Sequence, residues 1–169
     1  MHEGGFNFDD ATLKKAIDYA HAHGVRLYVT LNNLISNEEI PALREYLAYL
    51  NEIRPDALLV QDFAVLELVH EMGITIPLHT SVMMNTHNEH AIEKLKEYGI
   101  TRIVVGREMT LSELSLFRER TGIEVEYFMH GDMCISESGQ CIHSGILFGQ
   151  SGNRGRCLKP CRWAYQIGR

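Results

Sequence analysis

All four cysteines of this 169-residue chain lie in one segment, with the spacing Cys134-x6-Cys141-x15-Cys157-x3-Cys161. Four thiolates can enclose a zinc ion or an iron–sulfur cluster. Structural zinc sites usually pair cysteines roughly two to four residues apart at both ends, and the first pair here is wider. The spacing therefore favours a [4Fe–4S] cluster over zinc, and unliganded or redox-active thiols remain a third alternative.

The segment that holds these thiols is also basic. From Ser138 onwards the sequence has no acidic residue, whereas residues 1–137 hold all 22 acids against 11 bases. The five bases of this region are Arg154, Arg156, Lys159, Arg162 and Arg169. Such residues can stabilise a negatively charged cluster, contact RNA, or balance the acidic remainder of the chain. If RNA binds, we expect Arg154, Arg156, Lys159 and Arg162 to contact it.

A second set of polar residues follows, or closes, short apolar runs of the sequence. We predict that three of them act as acid–base groups: Asp62, Glu108 and His130. We predict that four others bind substrate: Asn32, His79, Ser81 and Arg107. Arg107 could hold a carboxylate through a bidentate fork, or pair with neighbouring acids. Asn32 and Ser81 could instead be helix caps.

The elements that must position these residues alternate between strands and helices. The predicted strands are Val25–Leu31, Ala57–Gln61, Ile74–Thr80, Arg102–Gly106 and Ile123–Gly131. Helices are predicted from Asp9 to Gly24, from Ser36 to before Pro55, and from Thr110 to Gly122. This alternation predicts an α/β fold with a parallel sheet.

A (β/α) barrel is favoured over a doubly wound sheet. No G-x-G-x-x-G motif follows a strand, and the polar residues past the strands would converge on one barrel mouth. A TIM-type barrel has eight strands and about 250 residues. We therefore expect residues 1–131 to form a partial or reduced barrel and residues 132–169 to form a cysteine-rich loop segment.

Localisation is predicted from what the sequence lacks. The first 25 residues carry acids and lysines where a signal peptide would be apolar, and no apolar run approaches the roughly 20 residues of a membrane span. These features predict a cytoplasmic protein without a membrane partner, in which thiols are usually kept reduced.

The stretch EYFMHGDMCISESGQCIHSG resembles the signature of a collagenase-like bacterial peptidase family of unassigned mechanism. The flanking motifs TLN (30–32), VQD (60–62), GRE (106–108) and NRGRCLKPCRWAY (153–165) agree with the same family. Asp132 and Glu137 depart from it, since the family generally has Ala or Ser at the first position and often an aromatic residue at the second. The residues that match the signature are Glu126, Phe128, Gly131, Cys134, Ser138, Gly139, Cys141 and Ser144.

The resemblance implies a function in addition to a fold. The family is conventionally labelled as proteases, but its better-understood members are oxygen-independent hydroxylases that bind a [4Fe–4S] cluster through four such cysteines. The resemblance thus implies Cys134, Cys141, Cys157 and Cys161 as ligands. It further implies a pyrimidine of tRNA or 23S rRNA as substrate, with prephenate as oxygen donor, or a quinone precursor.

Two alternatives to the hydroxylase remain open. One is a collagenase-like peptidase, although the sequence contains neither G-x-S-x-G nor H-E-x-x-H. The other is a non-catalytic cluster-binding subunit that forms a heterodimer with a related chain.

Overall fold

The computed structural model describes residues 7–131, 133–166 and 168. Its five strands form one parallel sheet in the order β1-β2-β3-β4-β5. The strands are β1 (Tyr28–Leu31), β2 (Ala57–Val60), β3 (Leu78–Thr80), β4 (Ile100–Val104) and β5 (Glu124–Glu126). This confirms the predicted α/β fold. A consecutive strand order occurs in barrel walls, whereas doubly wound sheets reverse their order at a switch point.

Six α-helices occur in the described residues. They are α1 (Asp10–Ala22), α2 (Ile40–Ile53), α3 (Phe63–Glu71), α4 (Glu89–Glu97), α5 (Leu111–Thr121) and α6 (His143–Phe148). The predicted caps are present: Asp9 accepts a hydrogen bond from the Thr12 amide at 2.8 Å, and Thr110 forms a capping box with Glu113. Helix α5 ends at Gly122, whose φ of +65° suits glycine.

Strands β1, β2, β3 and β5 are shorter than predicted, whereas β4 has the predicted five residues but begins two residues earlier, at Ile100. In β3 the ladder begins only at Leu78, because Pro77 has no amide hydrogen to donate. Strand β5 pairs with β4 alone and ends at Glu126. The hydroxyl of the next residue, Tyr127, donates to the carbonyls of Arg107 and Met109 at 3.2 and 2.9 Å, which directs the chain away from the sheet.

The hydrophobic core lies between the helices and one face of the sheet. Strand residues such as Leu58, Val60 and Ile103 are fully buried there. Helix α2 contributes Leu43, Leu47, Leu50 and Ile53 to the same core, and these residues recur at helical spacing. Burial of each such side chain contributes about 1.5–3 kcal/mol. This core fixes the strands, and therefore the loops at their carboxyl ends.

The cysteine segment is more structured than predicted. Residues 131–169 were expected to be mostly loop, but they contain α6 and two short 3-10 turns, Gly152–Arg154 and Pro160–Arg162. Asp132 and Arg169 lie outside the described residues, so the predicted division at residue 132 stays a prediction. Across the part of the chain that the structure describes, none of the helices combines the length and apolarity needed to cross a membrane.

Candidate functional site

The cysteine segment folds back over the carboxyl ends of the strands, and Asn153 is the centre of this contact. Its backbone carbonyl accepts a hydrogen bond from the Leu34 amide, past β1, at 2.8 Å. Its side-chain oxygen accepts from Gln61, past β2, at 3.3 Å, and its side-chain nitrogen donates to the Gly139 carbonyl at 2.9 Å. Through its backbone and its side chain, one residue thus joins two strand ends to the loop between the first two cysteines.

Arg107, past β4, holds the loop that begins at Cys134. Its Nη1 donates to the Cys134 carbonyl at 2.7 Å and its Nη2 to the Ser136 carbonyl at 2.8 Å. Its Nε donates to the Ser138 hydroxyl at 3.4 Å. The guanidinium therefore positions the backbone beside the first cysteine, a role that the sequence analysis did not foresee.

Glu108 holds the same loop from the other side. Its carboxylate accepts hydrogen bonds from the Ser138 amide at 2.8 Å and from the Ser138 hydroxyl at 3.2–3.3 Å. Partial burial acts to raise the pKa of Glu108. Backbone amides, the Ser138 hydroxyl and the nearby Arg107 outweigh it, so that the pKa is lowered. Glu108 is therefore an ionised carboxylate at neutral pH, suited to accept hydrogen bonds.

Two glycines allow these contacts to form. A Cβ on Gly139, whose φ is +73°, would lie 2.3 Å from the Met83 carbonyl oxygen in the loop past β3. A Cβ on Gly106 would lie 2.6 Å from a carboxylate oxygen of Glu108. A side chain at Gly139 would separate the cysteine segment from the strand ends, and a side chain at Gly106 would displace Glu108.

Arg154 is engaged by the loop past β1. Its guanidinium forms a two-pronged ion pair with Glu39 at 2.6 and 2.7 Å, and it also donates to the Leu34 carbonyl. The hydrogen bonds from Arg154, with those of Ser36, lower the pKa of Glu39 to about 2. Arg154 thus attaches the cysteine segment to the sheet, whereas Arg156, Lys159 and Arg162 are exposed.

Three predicted site residues lie at neighbouring strand ends. The Asn32 amide donates to the Ser81 hydroxyl at 3.3 Å, so the structure brings these two residues together. Ser81 also caps the following 3-10 turn by accepting from the Met83 amide at 3.2 Å. The two carboxylate oxygens of Asp62 accept from the amides of Ala64 and Ile35, each at 2.8 Å. Asp62 and Ser81 therefore have structural roles, and their chemical roles stay predictions.

His79 lies away from the cysteine loop, on the sheet face opposite the helices. The register aligns it with Arg102 of β4, which aligns with Glu124 of β5. Its ring packs edge-on against Tyr28 with centroids 5.0 Å apart, and Arg102 lies over the same tyrosine at 5.3 Å. Burial, and then the positive charge of Arg102, lower the pKa of His79 to about 4.

This face carries polar atoms that the described residues leave unsatisfied. Within that part of the chain, three buried atoms have no hydrogen-bond partner: Gln61 Oε1, His79 Nδ1 and Arg102 Nε. An unpaired buried polar atom costs about 1–3 kcal/mol. Barrel interiors are usually filled by branched apolar side chains. Arg102 and Tyr28 were not predicted as site residues. Their position beside His79 becomes evident only once the strand register is known.

The cysteines are all in the described residues, and no disulfide joins them. Cys134 is exposed and the other three are partly exposed. Sγ of Cys157 accepts a hydrogen bond from the Lys159 amide at 3.3 Å, the kind of contact that surrounds cluster thiolates. This donor set fits an iron–sulfur cluster chemically. The described side chains do not include a group of three or more His, Cys, Asp or Glu placed to hold a metal ion.

His130 is exposed beyond β5, in the chain that leads into the cysteine segment. A shallow cleft of about 470 Å³ is lined by Arg107, Glu108 and residues 133–137, and His130 is not among these lining residues. The structure thus brings Arg107 and Glu108 together with the loop of Cys134. Asn32 and Ser81 form a separate contact, and His79 packs with Tyr28 and Arg102 on the opposite face of the sheet.

The protein is therefore of the parallel α/β class, with a four-cysteine segment held at the carboxyl ends of the strands. The model of peptidase family U32 matches residues 3–169, and the chain belongs to that family. It is 32% identical over 161 residues to tRNA hydroxylation protein P1 of Bacillus subtilis (strain 168), covering 95% of this chain and 38% of that protein.

Two further comparisons extend this finding. The chain is 32% identical over 155 residues to the 23S rRNA 5-hydroxycytidine C2501 synthase of Escherichia coli (strain K12), covering 92% of this chain and 23% of that protein. The chain thus spans well under half of these curated relatives. The solved structure of the U32 peptidase Mk0906 matches with a TM-score of 0.59 and 20% identity, over 70% of this chain and 51% of that one. The latter likeness shows the fold.

Proposed function

We propose that this chain carries the cluster-binding part of an RNA hydroxylase that modifies a pyrimidine of tRNA or rRNA. The observation that carries the proposal is the alignment of over nine-tenths of the chain with two relatives named for RNA hydroxylation. The geometry supports it, because the loops past β1–β4 all contact the segment that holds the cysteines.

In this proposal Cys134, Cys141, Cys157 and Cys161 hold a [4Fe–4S] cluster. Such a cluster supplies one-electron transfer when it is bound. The hydrogen bonds of the chain support this proposal, because Arg107 and Glu108 hold the first loop, while Asn153 and Arg154 hold the region before Cys157. Zinc remains the alternative occupant of the four thiolates.

The oxygen donor is proposed to bind in the cleft beside Arg107. A guanidinium has five N–H donors, and three hydrogen bonds of Arg107 go to residues 134–138. The remaining donors suit a carboxylate such as that of prephenate. Glu108, ionised at neutral pH, is the nearest candidate to accept a proton, with His130 as a second.

The five strands are proposed to form part of a (β/α) barrel. The consecutive strand order and the match to the solved U32 structure support this arrangement. A related chain in a heterodimer would supply further strands. Such a partner would also cover the sheet face of His79 and Arg102, whose unpaired polar atoms would then find hydrogen-bond partners.

The test begins with the cofactor. The chain is purified without oxygen, and iron, sulfide and zinc are measured together with the absorbance spectrum. We expect about four irons and four sulfides per chain. Cys157→Ser should lower the iron content, whereas Ser115→Ala on α5 serves as a matched surface control. One zinc per chain without sulfide would contradict the cluster.

The activity is tested separately. Unmodified tRNA and rRNA are incubated with the iron-loaded protein and prephenate, and their nucleosides are analysed by mass spectrometry. The proposal predicts that a pyrimidine gains one oxygen atom only when prephenate is present. Cleavage of a collagen peptide without any change in the RNA would contradict the hydroxylase and support the peptidase, the second candidate that the family name favours.

A further inference from the structure

The cysteine segment exposes three aromatic side chains close to one another in its fold. Phe148 at the end of α6 is 41% exposed, and Trp163 directly after the Pro160–Arg162 turn is 47% exposed. Their ring centroids lie 5.2 Å apart at an angle of 50°. The two rings pair with each other and still present about half of their surface to solvent.

Tyr165 adds a third ring whose position is fixed. Its hydroxyl donates to the Pro160 carbonyl at 2.8 Å, and 66% of the residue is exposed. A ring held in this way loses little freedom when a ligand stacks on it, so binding is favoured. Exposed aromatic rings of this kind are stacking platforms for unpaired bases, because every base has a π-face.

The charge around these rings identifies the ligand. Arg156, Lys159 and Arg162 are exposed within the same short stretch, and residues 138–169 include no acidic residue. Another aromatic pair of the chain, exposed Phe63 with partly buried Tyr98, has the opposite surroundings, since the Tyr98 hydroxyl donates to Glu67 at 3.0 Å. Aromatic rings surrounded by Arg and Lys side chains match a nucleic acid strand, in which stacking nucleobases alternate with negatively charged phosphates.

A neutral protein partner is a weaker match to this charge. Helix α6 also exposes apolar residues beside the rings: Ile142, Ile146 and Leu147. An apolar protein surface would cover these residues but would offer no negative charge to the exposed Arg156, Lys159 and Arg162, of which Arg162 also donates to the Met133 carbonyl. Phosphates would neutralise that charge, and the released counterions would add to the affinity.

We infer that Phe148, Trp163 and Tyr165, with Arg156, Lys159 and Arg162, form a surface that binds an unpaired stretch of RNA. The inference rests on the proposed function and specifies where and in which form the RNA is held. The surface includes residues next to Cys157 and Cys161, so a base unstacked from its neighbours would be held close to the proposed cluster.

The test is a binding measurement that requires no catalysis. The probe is a fluorescently labelled oligouridine of about 12 nucleotides, a length within the site sizes of single-strand binders. Its anisotropy is titrated with the chain at low salt, and a duplex RNA of equal length is the competitor. Trp163→Ala should weaken binding about tenfold or more, as expected for the loss of one stacking ring.

Three variants make the result specific. Trp163→Phe keeps an aromatic ring and should bind nearly as well as the wild type, which separates stacking from misfolding. Phe63→Ala removes an equally exposed ring in the acidic part of the chain and should leave binding unchanged. Arg156→Gln should reduce the slope of log affinity against log salt by about 0.7, the value for one phosphate contact on a single strand.

Several results would overturn the inference. These are no binding of the oligouridine by the wild type, tighter binding of the duplex, or equal losses in the Trp163→Ala and Phe63→Ala variants. Trp163-dependent binding of vesicles of anionic lipid, or Trp163-dependent dimerisation, without RNA binding would assign the surface to a membrane or to a second copy. A chain that binds the oligouridine but contains no cluster would keep this surface and refute the proposed function.

Discussion

Acid should destabilise this chain through His79 as the pH falls below about 6.5. In the folded state, burial and the charge of Arg102 lower the pKa of His79 to about 4, from an ordinary value of 6.5. In the unfolded chain His79 binds a proton near the ordinary value. Between these two pH values the unfolded state holds more protons than the folded state, so the free energy of unfolding falls as the pH falls.

The size of the effect follows from the difference between the two pKa values. Each unit corresponds to about 1.4 kcal/mol, so the contribution of His79 falls by about 3 kcal/mol from neutral pH to pH 4. The loss is confined to this window, because above it the histidine is neutral in both states and below it charged in both. For a domain of typical stability this is a large fraction of the total.

The assay is urea unfolding followed by circular dichroism at a series of pH values from neutral to 4. His79→Gln removes the titrating group but keeps a polar side chain, so the difference between wild type and variant isolates the contribution of His79. His23→Gln, at an exposed histidine after α1, is the matched control for the replacement of a histidine by glutamine. A wild-type minus His79→Gln difference that stays constant across this range would refute the reasoning.

Three further predictions concern the attachment of the cysteine segment. Gly139→Ala should destabilise the chain by more than about 2 kcal/mol, because it adds a clash with the Met83 carbonyl to the strain of a positive φ. Gly149→Ala, with a similar φ of +66° and open space around it, should cost only about 1 kcal/mol, and thermal unfolding compares the two. Arg107→Lys keeps the charge but loses the fork that holds residues 134–138, so hydrogen exchange there should become faster with little change in the sheet. Because the pKa of Glu108 is lowered, its hydrogen bond from the Ser138 amide should be retained at pH values above the ordinary pKa of 4.5 and lost only at lower pH. The hydrogen-exchange protection factor of the Ser138 amide should fall over the same pH range. In Glu108→Gln this protection factor should not depend on pH.

The helix ends were predictable because they depend on residues close together in the sequence. Asp9 caps α1, the Thr110–Glu113 box begins α5, and Gly122 ends it, as their spacing indicated. Strand ends depend on neighbours that are distant in sequence. The stretch from Ile123 predicted nine residues of strand, but β5 has three, and within the described residues it pairs with β4 alone.

The convergence of polar residues on the carboxyl edge was likewise predictable from the parallel fold, and Asn32 and Ser81 do meet there. The partners of the charged residues were not predictable from the sequence. Arg107 binds backbone carbonyls, which leave no mark in a sequence. Arg154 pairs with Glu39 across 115 positions of the chain. Such a distant ion pair cannot be foreseen from the sequence, so the prediction that Arg154 contacts RNA did not take it into account.

The construction of the cysteine segment explains why its attachment matters for function. Of the described residues from 133 to 166, only Ser138, Ser144, Gly155 and Pro160 are buried. A segment with so little apolar burial cannot be ordered by a core of its own. Its order must come from polar contacts with the strand ends, and from the cluster if one binds, because metal binding and folding are then coupled. These contacts start from several strand ends, so the sheet holds the cysteine segment in position beside the cleft of Arg107.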